Sequence, residues 1–144
     1  MCAHNVDLDY PTRMKHIEDL KELEDIIIRQ RGELEHERKK LAELVKQSDN
    51  FKTTLSKLRS DTITLETSLK TVKNTPRPDP ANTKKIVDIE RSLIRVQEYL
   101  NRSEKTVAEN VTFIADTERE IADIERNIIT AENNAKGLRR DLHT

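Results

Sequence analysis

Aromatic side chains make up only 3% of this chain, tryptophan is missing, and there are two glycines in 144 residues. A compact domain of this length buries faces of several elements and needs more aromatic and aliphatic volume than that, so one elongated layer of core is the alternative. A single cysteine, Cys2, leaves no internal disulfide to form. Residues 1–7 also lack the basic start and apolar run of a secretory signal. From these two absences the expected setting is intracellular, cytoplasmic or cytoskeletal. Long hydrophobic runs are lacking as well. The longest is Ile26-Ile27-Ile28, far short of the roughly 20 apolar residues that cross a bilayer, and no membrane partner is expected. Nor does one sign of charge dominate: 26 basic and 27 acidic residues are interleaved, which argues against a dedicated nucleic-acid surface.

Groups for chemistry are equally sparse. His4 and His143 lie near the chain ends, His16 and His36 lie on helix surfaces, and no Cys or His pair has metal-ligand spacing. Glu18-Asp19 and Glu24-Asp25 read as solvated helix faces, and no glycine-rich phosphate loop occurs. The expectation is therefore a protein without enzymatic activity, metal, cofactor or small-molecule substrate.

What the chain does contain is heptads. With Leu20 as position a, the a row is Leu20, Ile27, Leu34, Leu41, Ser48, Leu55, Thr62 and Leu69. The d row is Leu23, Gln30, Glu37, Leu44, Phe51, Leu58, Leu65 and Val72. A second ladder has an a row of Ile86, Leu93, Leu100, Val107, Ile114, Ile121, Ile128, Ala135 and Leu142. Its d row is Ile89, Val96, Ser103, Asn110, Thr117, Ile124, Ala131 and Leu138. Unbroken alternation of three and four is the mark of a left-handed supercoil rather than of a globular helix. At 1.5 Å per residue the first arm would be roughly 80 Å long. Between the ladders, Pro76, Pro78 and Pro80 stop the first helix near Asn74. Asp79 and Pro80 then read as cap and first residue of the second helix, with Thr83 a further candidate cap.

The predicted fold is all-α, a long antiparallel coiled-coil helical hairpin within a larger helical bundle or assembly. It divides into a flexible tail over 1–12, a helix over 13–74 with Thr12 as candidate cap, a proline-rich hinge over 75–83 and a helix over 84–144. A hinge centred at Asp79 makes the numbers of facing residues add to 158, which pairs Leu65 with Leu93, Phe51 with Val107, Ile27 with Ala131 and Leu23 with Ala135. The same register places Ser48 opposite Asn110, a polar layer of the kind that fixes alignment. Glu37 against Ile121 and Gln30 against Ile128 are imperfect layers, read as solvated edges or contacts to something else. At the flanking e positions, basic residues of the first arm face acidic ones of the second. The expected pairs are Arg38 with Glu118, Arg31 with Glu125 and Lys52 with Glu104.

Two surfaces are left over for partners. Position b of the second arm carries Val87, Ile94, Ala108, Ala115, Ala122 and Ile129, broken by Asn101. Alanine alone would mean only a good helix former; the fuller row suggests a third helix, from a second copy or another chain. Val45, Val111 and Phe113 add bulk near the Ser48 and Asn110 layer and make mid-length the expected docking place. The hinge gathers Lys70, Lys73, Arg77, Lys84 and Lys85 into a basic tip.

The functional expectation is a non-enzymatic scaffolding subunit, a rigid spacer, tether or brace in a multiprotein assembly, bound through coiled-coil packing to itself or to other chains. The alternative is a chaperone-like hairpin that grips a client, or one that meets an acidic partner such as tubulin or nucleic acid at its basic tip. Nucleic acid is disfavoured because no aromatic residue lies there to stack on bases. In topology alone the arrangement is similar to prefoldin subunits, whose helices are joined through β-hairpins; no alternating strand pattern occurs between Asn74 and Thr83.

Overall fold

The chain is an all-α helical hairpin of two long helices packed against each other, in a computed structural model that describes residues 8–75 and 80–143. Helix α1 runs over Tyr10–Lys73 and α2 over Pro80–Leu142. Among the described residues there is no strand, and no helix is long and apolar enough to cross a membrane.

Capping chemistry explains where α1 begins, three residues before the expected boundary at residue 13. Asp9 Oδ1 accepts a hydrogen bond from the Thr12 backbone N–H at 2.9 Å, and the Asp9 carbonyl accepts the first helical bond from Arg13 N–H at 2.9 Å. Asp9 is the cap, and Thr12 is the residue whose amide is capped, which corrects the sequence assignment. Pro11 falls in the first turn, where its missing N–H has no helical acceptor to lose. At the other end, Asn74 N–H reaches Lys70 O at 3.1 Å and Thr75 N–H reaches Val72 O at 3.2 Å, so the helix tightens as it stops. Lys70 and Lys73 place positive charge at that carboxyl end. Pro80 is the first residue of α2, in keeping with its reading as a first helical position but four residues before the expected boundary at residue 84, so Thr83 lies inside the helix. The proposed cap Asp79, the tip residue Arg77 and the tail residues 1–7, with Cys2 and His4, lie outside the described residues.

The heptad rows are the buried stripe. Every a and d residue from Leu20 to Val72 and from Ile86 to Leu142 is buried or half-buried. Burial of a Leu, Ile or Val side chain stabilises by about 1.5–3 kcal/mol when complete, and these layers supply that repeatedly.

The described chain forms two compact units. The first joins Met1–Ala42 with Ala115–Thr144. Ile27, Ala131 and Ala135 form its closed core with Leu20 and Leu23 packed on it, and Ala135 has no exposed surface. These are the residues that the 158 register places in adjoining layers, and the alanines leave room for Ile27 and Leu23 to interdigitate. Two turns before Leu20, Arg13 Nη1 donates to the Leu142 carbonyl at 3.2 Å and satisfies one of the orphan acceptors at the end of α2. The second unit is Glu43–Ile114, whose buried side chains are Leu55 and Asn110.

Candidate functional site

Positions on the heptad determine what each outward side chain can reach. Along the e flank of the first unit, Arg31 is paired with Glu132, Arg38 with Glu125 at 3.1 Å, and Arg139 with Glu24 at 3.1 Å. In the second unit Arg59 meets Glu104 at 3.9 Å and Lys73 meets Glu90 at 3.5 Å. In all five pairs the residue numbers add to 163. The expected partners, Arg38 with Glu118, Arg31 with Glu125 and Lys52 with Glu104, are therefore each wrong by one heptad, although the signs are right. The cause is side-chain direction. Every Cα–Cβ bond tilts toward its own helix N-terminus, so in an antiparallel pair the two side chains lean toward each other only when their Cα atoms lie beyond the facing layer. Pairs that add to 156 lean apart.

The polar layer works differently from a side-chain pair. Asn110 is 4% exposed and its Nδ2 donates at 3.1 Å to the backbone carbonyl of Leu44, one turn before Ser48. Ser48 is half-buried in the facing layer. Its small side chain leaves the space through which the amide reaches that carbonyl, which has a second lone pair to offer beyond its helical bond.

In the first unit, three d positions carry polar atoms that are buried rather than solvated. His16 Nδ1, Gln30 Oε1 and Glu37 Oε2 have no hydrogen-bond partner among the described residues, which corrects the placement of His16 on the helix surface. The nearest cation to Glu37 is Lys40, at 3.9 Å, and the Glu37 side chain is only 15% exposed. A groove of about 540 Å³ opens beside it, lined mainly by the apolar parts of Gly32, Glu33, His36, Glu37, Glu120, Asp123 and Ile124. Among the described residues no three His, Cys, Asp or Glu side chains are arranged to hold a metal ion.

The b row of α2 is exposed at every position: Val87 at 40%, Ile94 at 62% and Ile129 at 56%, with Ala108, Ala115 and Ala122 open between them. The b row of α1 is unlike it, since Met14, Ile28, Ala42 and Ile63 alternate with Lys21, Glu35, Asp49, Ser56 and Lys70. Val45, Val111 and Phe113 are all exposed, but Val111 is at e and Phe113 at g, on opposite flanks of the α2 seam, so the three do not make one patch. At the tip, Lys70, Lys84 and Lys85 are exposed, whereas Lys73 is engaged by Glu90.

These faces belong to a helical hairpin whose outward chemistry is one apolar row, one ionic flank and a partly neutralised basic end. Comparison with known protein families, with characterised proteins and with solved structures returns no match for this chain.

Proposed function

We propose that this hairpin is a non-enzymatic structural subunit that holds other helices in a multiprotein assembly and acts as a spacer, tether or brace. One observation carries the reading: the apolar b row of α2 is exposed at every position in a chain whose a and d rows are all buried or half-buried. A two-helix coil has no use for a third apolar row, whereas a bundle of three or more helices needs one. The b row of α1, where charged and apolar residues alternate, offers no such continuous stripe, which supports docking on the α2 arm.

Ile94→Glu and Ala122→Glu test it. Each should abolish the large species that contains this protein in extracts of cells that make it, as read by size-exclusion chromatography, with helicity by circular dichroism unchanged. A large species that survives both changes, and is lost instead on joint replacement of Lys84 and Lys85 by alanine, would favour an acidic partner at the tip and overturn the docking role of α2.

A further inference from the structure

We propose that the b row of α2 is covered by a second copy of this chain lying antiparallel to the first, with a two-fold axis passing beside Ala108. This rests on the docking role assigned to that row and names its occupant.

The row is self-complementary when reversed. Laid antiparallel about Ala108, it brings Ile129 onto Val87, Ala122 onto Ile94 and Ala115 onto Asn101 of the second copy, and symmetry repeats each contact. Large thus meets small inside the row, and the two branched residues close its ends. Alanine at the centre permits close approach of the two helices. A parallel pair would instead stack Ile94 on Ile94 and Ala122 on Ala122, so bulk and gaps would alternate.

Charge selects the same direction. Within α2, residues 80–107 hold 6 basic and 4 acidic side chains, a balance of +2, and residues 109–142 hold 5 basic and 8 acidic, a balance of −3. Antiparallel docking lays the negative half of each α2 on the positive half of the other, whereas parallel docking sets like on like. Next to the row, Arg95 and Arg102 fall in the layers of Asp123 and Asp116 of the second copy. Arg95 is exposed, Arg102 lies over the Tyr99 ring at 5.9 Å and is also exposed, and among the described residues each aspartate is paired with an exposed arginine three residues on.

The test uses the purified full chain with Cys2→Ser and single cysteines introduced by Ala108→Cys, Val87→Cys or Ile129→Cys, oxidised with glutathione disulfide. Ala108→Cys should link to itself, and Val87→Cys should link to Ile129→Cys in a mixture of the two but not to itself. Light scattering should give dimer mass for the parent chain. Ile94→Glu should weaken the dimer by about tenfold or more, since it sets a charge in an apolar seam. Self-linking of Val87→Cys would overturn the antiparallel arrangement. Monomer mass with no linking would overturn self-pairing while leaving the docking role intact if the large species in extracts still disappears with Ile94→Glu. If that species is indifferent to Ile94→Glu, the docking role itself falls.

Discussion

The unit that contains both free helix ends withdraws Ile27, Leu34, Ile128, Ala131 and Ala135 from water, whereas the hinge-side unit withdraws a single apolar residue, Leu55. The hinge-side unit is also rich in threonine. Thr53, Thr62, Thr64, Thr67, Thr71, Thr75, Thr106 and Thr112 all lie in it, and each hydroxyl donates to the carbonyl four residues earlier. Branched residues that bond back in this way favour helix less than the Leu, Glu, Lys and Arg of the other unit. Tight packing is thus concentrated where the chain provides no covalent link between the helices. Beside the hinge, the connection itself keeps the arms at high effective concentration, and a thinner core suffices there.

The sharpest way to break that comparison is to put the same charge into each core. Ala135→Glu buries a carboxylate in a closed layer and should cost about 3–5 kcal/mol in urea unfolding followed by circular dichroism. Ser103→Glu, at a half-exposed core position of the hinge-side unit, should cost clearly less; equal losses would mean that the two cores are equivalent. Next in size, Glu37→Leu removes a buried oxygen without a hydrogen-bond partner and should stabilise the free-end unit by about 1–3 kcal/mol, with Gln30→Leu acting in the same direction. A loss of stability would show that the carboxylate is satisfied in solution.

Smaller still is the ionic flank. A double-mutant cycle on Arg31 and Glu132 should give a coupling of about 0.5 kcal/mol, and a cycle on Arg31 and Glu125 none; the reverse result would restore the partners first expected. The smallest effect belongs to Asp9, a fully exposed group. Its hydrogen bonds from Thr12 hold the carboxyl below the usual carboxylate range. A depressed acid stabilises the folded first turn above its unfolded pKa, and that contribution fades as pH falls through the lower folded value. The protection of the Thr12 amide, its exchange rate set against the intrinsic rate at the same pH, should fall in acid for the parent chain and be low at every pH in Asp9→Ala.

Heptad spacing made the fold legible because burial follows the period of the sequence, and no core position named from it is exposed. Three details did not follow from spacing. Pro11-Thr12 has the residue types of a helix start, yet Asp9, three residues before an amide in need of a partner, supplies the cap. Ion-pair partners were misassigned by one heptad because facing layers locate Cα atoms and not the lean of the side chains. The acceptor for Asn110 is main chain, and a pattern of side chains holds no trace of which carbonyl is within reach. The b row was legible as a surplus of apolar residues, and its exposure in the folded chain is what gives that surplus a use.

One heptad slip of α2 along α1 would keep most apolar layers filled, so hydrophobic contact alone discriminates weakly between the native alignment and its neighbours. It would, however, move Asn110 from Ser48 to Leu41 or Leu55, whose bulk shuts the path to the backbone and strands a buried amide at a cost of about 1–3 kcal/mol. The Asn110 layer therefore penalises slipped alignments that the apolar layers alone would tolerate, so one buried amide keeps the two arms in a single count of heptads.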